Sequence, residues 1–236
     1  LVWFKWNFLR PIVPIPELYL RVGKPDGLMN DGEGLQVFIG DTASPLPPVH
    51  NHPTIGFAPG SRHRTKQWPP ERFVELGKQL RERYHARIVL FGSPQEAELC
   101  QTIADGIAQG SPLLPSPIFP SPMLPSPINL AGITTWLPTA AALDQCQLVV
   151  TNDSSIAHLA AARKRKVVAL FGSTVQEFGF APYGTQSAVV EVSNLDCRPC
   201  TTIGRAECPH GHFRCMMELT VDHVMDKIEE MLPAAR

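Results

Sequence analysis

Five stretches of the chain are largely continuous runs of apolar residues, and each ends in small or polar residues. A strand covered on both faces needs apolar side chains on both, so such runs are typical of a buried parallel sheet. The runs are TIGFAPGS (54–61), ARIVLFGS (86–93), INLAG (128–132), QLVVTN (147–152) and KVVALFGS (166–173). The pattern therefore predicts five parallel strands.

Helical patterns separate these runs. PPERFVELGKQLRERYH (69–85) starts with proline and places Phe73, Leu76 and Leu80 at helical spacing. Four further helices are predicted at 94–107, 134–146, 154–164 and 220–232. Strands that alternate with helices form right-handed βαβ units. We therefore expect an α/β fold, a doubly wound parallel sheet of Rossmann-like type, over residues 52–236.

Two segments do not fit this alternation. Residues 1–51 begin with an apolar stretch, LVWFKWNFL, and are rich in Gly, Asp and Pro after it. We interpret the apolar stretch as a buried edge or a partner-facing segment, in preference to a membrane-surface anchor. Residues 111–127 carry an SP-x-x-P repeat, whose prolines deny it both helix and sheet hydrogen bonds. We predict an extended surface insertion there, in preference to a ligand for a proline-recognising partner.

Composition narrows the classes of partner. The formal net charge is −1, from 21 Lys and Arg against 22 Asp and Glu. The chain therefore has no overall excess of positive charge that would favour binding of nucleic acid. No apolar stretch is as long as the roughly 20 residues of a membrane span. Any binding of anions must therefore be local.

The strand ends share one chemistry. Ligands of an open parallel sheet bind beyond the carboxyl ends of its strands, and here those ends read APGSRHRTK, FGSPQE, LAGITT, TNDSS and FGST. Small residues allow a ligand to approach the backbone, and the N-terminus of a helix favours phosphate. Five such turns in one sheet, one of them with Arg62, His63, Arg64 and Lys66, predict a cleft for a nucleotide phosphate. The alternative is that these basic residues form a solvated loop. Trp68-Pro69-Pro70 favours the cleft, because it fixes where the loop ends and so places Lys66 near the sheet.

Longer motifs resemble one known family, the ADP-heptose–lipopolysaccharide heptosyltransferases of glycosyltransferase family 9, and in particular the heptosyltransferase II branch. The similar stretches are APGSRHRTKQWPPERFVELGKQL, VVTNDSSIAHLAAARKRKVVALFGST, EFGFAPYG and CRPCTTIGRAECPHGHFRCM. The resemblance implies a GT-B-type enzyme of two Rossmann-like halves facing across a cleft. It identifies residues 52–236 as the half that binds the nucleotide sugar, and 1–51 as the remnant of the N-terminal half and the interdomain linker.

The resemblance also implies partners. These are an ADP-sugar donor, a lipopolysaccharide core acceptor and an N-terminal half that supplies the base, with no nucleic acid. The implied location is the cytoplasm, with peripheral contact at the inner face of the cytoplasmic membrane. Without the N-terminal half, the alternative is a nucleotide-sugar-binding fragment with no activity of its own; a third hypothesis is a degenerate fragment.

Carried over to this chain, the family pattern assigns roles at the strand ends. Lys66 neutralises the charge of the donor phosphates, and Asp153 binds sugar hydroxyls. The amides of Ser154 and Ser155 hold the pyrophosphate, with His158 beside it, although a packed core histidine is the alternative for His158. The remaining assignments are cleft-lining Gly60 and Ser61, a ribose contact from Glu96, and Gly132 with Thr134 at the adenine.

This chain departs from the pattern at Ser155, where family members commonly carry glycine, and in the SP-x-x-P repeat. We expect no cofactor besides the donor substrate, because Lys66 supplies a cation and the sequence has no Asp-x-Asp pair.

The C-terminal cysteines leave alternatives open. Cys197-x2-Cys200 is followed by Cys208 and Cys215, with two histidines nearby. C-x-x-C is the usual first half of a zinc site, but the second pair has a different spacing. Reduced structural thiols are the first interpretation, zinc the second and disulfides the third. Cys100 and Cys146 are predicted to be core residues.

Overall fold

The computed structural model of the protein describes residues 2, 8–48, 52–109 and 125–232. Most of the SP-x-x-P repeat, and most of the apolar opening, lie outside the described residues. Phe8 and Leu9, at the end of that opening, are exposed. None of the helices within the described ranges combines the length and apolar character that crossing a membrane requires.

One sheet of six parallel strands forms the centre of the molecule, in the order β3-β2-β1-β4-β5-β6. The strands are β1 Thr54–Ala58, β2 Arg87–Leu90, β3 Ile128–Asn129, β4 Leu148–Asn152, β5 Lys166–Phe171 and β6 Ser187–Glu191. The five predicted strands and the doubly wound fold class are confirmed. The sixth strand was not predicted. It lies at the sheet edge, where Ser187 is exposed and, of its five residues, only Val190 is buried.

The strands are apolar runs because each serves two cores. In β4, Leu148 and Val150 pack into one cluster, whereas Val149 packs into the other. In β5, Val168 and Leu170 join the first cluster, and their neighbours join the second. This alternation is what two covered faces require.

Helices cover both faces. Helices α2, α3 and α7 contribute to the first cluster, and α4 and α5 to the second. The helices are α1 Ile15–Gly23, α2 Pro70–Tyr84, α3 Ala97–Ala108, α4 Trp136–Leu143, α5 Ser155–Ala162, α6 Arg214–Met217 and α7 Val221–Met231. The predicted helix at 134–146 begins late, at Trp136, so that Pro138 falls in the first turn, where a missing N–H breaks no helical hydrogen bond.

Part of the segment before residue 52 packs on this domain. Leu46 is buried in the second cluster, where Val37 and Ile39 also pack. The Arg87 guanidinium donates to the carbonyl of Pro47 at 2.6 Å. The predicted linker thus contributes to the core of the domain that follows it.

Candidate functional site

A cleft of about 1270 Å³ opens at the carboxyl ends of the strands. The sheet order reverses between β1 and β4, and an open α/β sheet has its ligand crevice at such a reversal. All ten residues that the sequence placed at a donor site line this one cleft. They are Gly60, Ser61, Lys66, Glu96, Gly132, Thr134, Asp153, Ser154, Ser155 and His158.

An ion pair forms the centre of the cleft. Lys66 Nζ lies 2.7 Å from Asp153 Oδ2, and both side chains are largely buried. The hydroxyl of Thr174, a residue the sequence analysis did not single out, donates to the same Oδ2 at 2.7 Å. One carboxylate oxygen therefore holds both a cation and a hydroxyl at the end of β4.

A fully buried amide closes the loop that carries Lys66. The Asn152 side chain donates from Nδ2 to the carbonyl of Pro59 at 2.6 Å, and its Oδ1 accepts from the Trp68 N–H at 3.1 Å. These two residues bracket the loop, so one side chain of β4 fixes both of its ends. Ser61 adds a hydrogen bond from its hydroxyl to the Asp153 carbonyl, at 3.2 Å. Apart from its place at a strand end, nothing in the sequence pattern indicates this role of Asn152.

Helix α5 starts beside the ion pair. Ser154 is its N-cap residue and Ser155 its first residue, as the sequence predicted. Ser155 is exposed to the cleft, and His158 is half-buried one turn further along. Burial lowers the pKa of His158 below its ordinary 6.5, Asp153 opposes this shift, and Lys66 adds to it. This shift favours the neutral imidazole, which lies near the Lys66 cation and the start of α5.

Glu96 lies on the other side of the cleft. Its carboxylate accepts from the Ser93 N–H at 2.7 Å, in a capping box that starts the helical segment after β2. A side chain at Gly60 would overlap that carboxylate, so the close approach of Glu96 to the β1 loop requires glycine there. Gly132 has a φ of +73°, and a Cβ on it would lie 2.9 Å from the Cα of Pro94. The Thr134 hydroxyl lies 2.7 Å from that of Thr139.

Exposed apolar side chains form a further wall that the sequence analysis missed. Trp136 and Ile133 follow β3, while Phe180 and Ile203 come from the segments after β5 and β6. Large apolar side chains left in solvent beside polar groups are typical of a ligand cleft. Among the basic residues of the β1 loop, Arg62 and His63 line the described cleft, but Arg64 does not.

The four C-terminal cysteines do not line this cleft. Cys197 and Cys200 line a second surface pocket with His210 and His212, and Cys215 is buried. Within the described ranges, no three His, Cys, Asp or Glu side chains are grouped so as to hold a metal ion. Cys100 and Cys146 are buried core residues, as predicted.

Comparison with known proteins gives the family. The family model described as glycosyltransferase family 9 (heptosyltransferase) matches residues 34–210. The chain belongs to this family. The match contains every cleft residue named above.

Individual members of the family are also similar to this chain. The chain is 28% identical over 193 residues to the lipooligosaccharide heptosyltransferase 2 of Haemophilus ducreyi, and this covers 80% of the chain and 51% of that protein. It is 29% identical over 182 residues to the Salmonella typhimurium lipopolysaccharide heptosyltransferase 2, covering 76% of the chain and 47% of that protein. The solved structure of Escherichia coli ADP-heptose lipopolysaccharide heptosyltransferase II is similar with a TM-score of 0.58 at 26% identity, over 78% of the chain and 47% of that structure. The chain thus spans about half the length of the curated relatives it matches.

Proposed function

We propose that this chain is the nucleotide-sugar-binding half of a heptosyltransferase that moves a heptose from ADP-heptose to the lipopolysaccharide inner core. The observation that carries the proposal is the Lys66–Asp153 ion pair, held at the start of α5 inside a cleft at the sheet's reversal point. The names of the relatives supply the donor, the acceptor and the sugar.

The chemistry of this transfer fits the groups in the cleft. Breaking the bond between the anomeric carbon and the diphosphate places negative charge on the diphosphate. Preorganised cations and N–H groups accelerate such a step when they lie where that charge grows. Lys66 supplies the cation, and the start of α5 supplies the N–H groups.

We propose that the nucleoside occupies the other side of the cleft. The Glu96 carboxylate is placed to accept from ribose hydroxyls, and Gly132 with Thr134 borders the adenine. The apolar wall formed by Ile133 and Trp136 covers the base. Asp153, which has a second oxygen besides Oδ2, binds sugar hydroxyls.

The base that takes the acceptor's proton belongs, in this proposal, to an N-terminal half that faces the cleft. The acceptor is then lipopolysaccharide core at the inner face of the cytoplasmic membrane, which the enzyme contacts peripherally. The second candidate function is nucleotide-sugar binding without turnover, because the roles assigned to residues of this cleft all concern the donor.

Calorimetry tests the proposal. The chain should bind ADP more tightly than UDP or GDP, and Asp153→Ala should weaken binding of ADP-heptose more than binding of ADP. Absence of ADP binding at millimolar concentration would remove the donor-site assignment. Adding a separately expressed N-terminal half of a relative then separates the two candidates, because only the transferase gains activity.

A further inference from the structure

The cysteine-rich segment 197–215 has no role in the function proposed above, yet it is bonded to the loop that carries Lys66. Thr65, the residue before Lys66, is buried and donates its backbone N–H to the Arg205 carbonyl at 3.1 Å. The same carbonyl accepts from the Thr65 hydroxyl at 3.0 Å, and the Arg205 N–H donates to that hydroxyl at 2.8 Å. Three hydrogen bonds thus join one threonine to one residue of the segment.

The Thr65 hydroxyl has a third partner at the end of β5. Ser173, which is fully buried, donates its hydroxyl to Thr65 Oγ1 at 3.0 Å, and its N–H to the Thr65 carbonyl at 3.3 Å. The Ser173 carbonyl in turn accepts from the Cys200 N–H at 3.2 Å. A hydroxyl offers one donor and two acceptor positions, so the Thr65 hydroxyl is fully used.

The segment also reaches the cleft itself. Thr202 and Ile203 line the cleft, and a Cβ on Gly204 would lie 2.6 Å from the Cβ of His63 in the basic loop. The turn that holds Lys66, Arg64–Lys66, is therefore fixed on one side by the Asp153 ion pair and on the other by this segment.

We propose that Thr65 is a positioning residue for Lys66, through which the cysteine-rich segment sets the affinity of the cleft for a diphosphate. This inference rests on the proposed function, because it assumes that Lys66 meets the donor's phosphates. A displacement of about 1 Å in a positioned group is enough to lose much of its effect. Losing the hydroxyl would release the turn without touching the nucleoside side of the cleft.

The test compares ADP with adenosine, because their difference in affinity isolates the diphosphate. Thr65→Val keeps the shape but removes the hydroxyl, and Thr65→Ser keeps the hydroxyl. In NMR titrations of the full chain we expect Thr65→Val to weaken ADP about tenfold with adenosine unchanged, the scale of one or two lost hydrogen bonds. Thr65→Ser should stay within about twofold of the parent chain.

Thr54 supplies the matched control, since it is an equally buried threonine at the opposite end of β1 whose hydroxyl accepts from Arg87 Nε at 3.0 Å. Thr54→Val should leave the ratio of the affinity for ADP to the affinity for adenosine unchanged. Should Thr65→Val not fold, Ser173→Ala removes one hydrogen bond from the same hydroxyl and should lower the ratio about threefold.

Three results would overturn the inference: an unchanged ratio in both Thr65→Val and Ser173→Ala, an equal loss of ADP and adenosine, or the same loss in Thr65→Ser as in Thr65→Val. A parent chain that binds no ADP would instead remove the proposed function, and the inference with it.

Discussion

Lys66 Nζ and Asp153 Oδ2 lie 2.7 Å apart, although the two residues follow different strands of the sheet. Their side chains are 14% and 9% exposed, so both charges are largely removed from water and stabilise each other. A bound diphosphate would give Lys66 a second anion and would free Asp153 for sugar hydroxyls. The pair is therefore both a structural contact and the resting state of the proposed binding site.

Separate variants should distinguish these two roles. Removing one partner of a buried pair leaves an uncompensated charge and costs about 3 to 5 kcal/mol. We expect Lys66→Met and Asp153→Asn each to lower the free energy of unfolding, and the double variant to lose less than the sum of the two. Urea unfolding measures all three, and additive losses would contradict the coupling.

The double variant should lose less stability than expected from the two single variants, but it should not regain affinity for ADP. Lys66→Met should weaken ADP at least about tenfold, the lower range for a lost charge contact to a phosphate, and the double variant should remain equally weak. Lys227→Met is the control, because Lys227 pairs with Glu230 on an exposed helix face. If the double variant bound ADP as the parent does, Lys66 would have no part in phosphate binding.

His158 predicts a pH dependence of stability. Burial lowers its folded pKa below the ordinary 6.5, so just below pH 6.5 the unfolded chain binds a proton that the folded chain does not. Stability from this group is complete above pH 6.5 and is lost as the pH falls from 6.5 to the folded pKa, by at most about 1.4 kcal/mol per pH unit. His158→Gln should remove that part of the slope. The exposed His210 supplies a control, and an identical slope in His158→Gln and the parent would contradict the assignment.

Binding of ADP should raise the pKa of His158 again. A diphosphate beside His158 favours the protonated imidazole, so binding of ADP near pH 6 should take up protons. Calorimetry in two buffers of different ionisation enthalpy measures the uptake. His158→Gln should reduce it, and an unchanged uptake would place the phosphates away from the start of α5.

Gly60 and Glu96 form a second testable pair. Alanine at position 60 would overlap the Glu96 carboxylate and push it from the Ser93 N–H. We expect Gly60→Ala to weaken ADP and adenosine alike, several-fold, because the ribose side of the cleft changes while the phosphate side does not. In a Glu96→Ala background the overlap is gone, so the added effect of Gly60→Ala should vanish. A persistent effect would mean that Gly60 acts through its backbone.

The grouping of the cleft residues follows from one physical rule. Parallel strands bring all their carboxyl ends to one edge, so their sequence positions alone predict that Gly60, Glu96, Gly132 and Asp153 lie together, and all four line the cleft. The family resemblance then supplied roles for individual residues. Lys66 was placed correctly because Trp68 and the prolines after it end the loop, and the structure buries Trp68 against Asn152.

The missed features depend on contacts between distant segments. Thr65 and Thr174 act through partners that follow other strands, and a lone buried threonine has no sequence pattern. Strand β6 was missed because its edge position leaves Ser187 exposed, so its apolar run is short. Helix α1 was not predicted, although Ile15, Leu18 and Val22 stand at helical spacing, and within the described part of the chain none of its residues is buried.

The six cysteines should fall into two classes of reactivity. Burial raises the pKa of Cys100 and Cys146 to about 12, and that of Cys215 to about 11. Because the thiolate is the reactive form, these three should react with a thiol reagent at pH 8 only as the chain unfolds. Cys197, Cys200 and Cys208 are half-buried, so their reaction should be faster in the folded protein.

The total count after unfolding decides among the interpretations of the C-terminal cysteines. Six reactive thiols without metal release indicate reduced structural thiols, four or fewer indicate disulfides, and metal released during the reaction indicates a bound ion. We expect six, with Cys100→Ser removing one equivalent from the slow class and none from the fast class. Loss of a fast equivalent in that variant would show that the two classes are not set by burial.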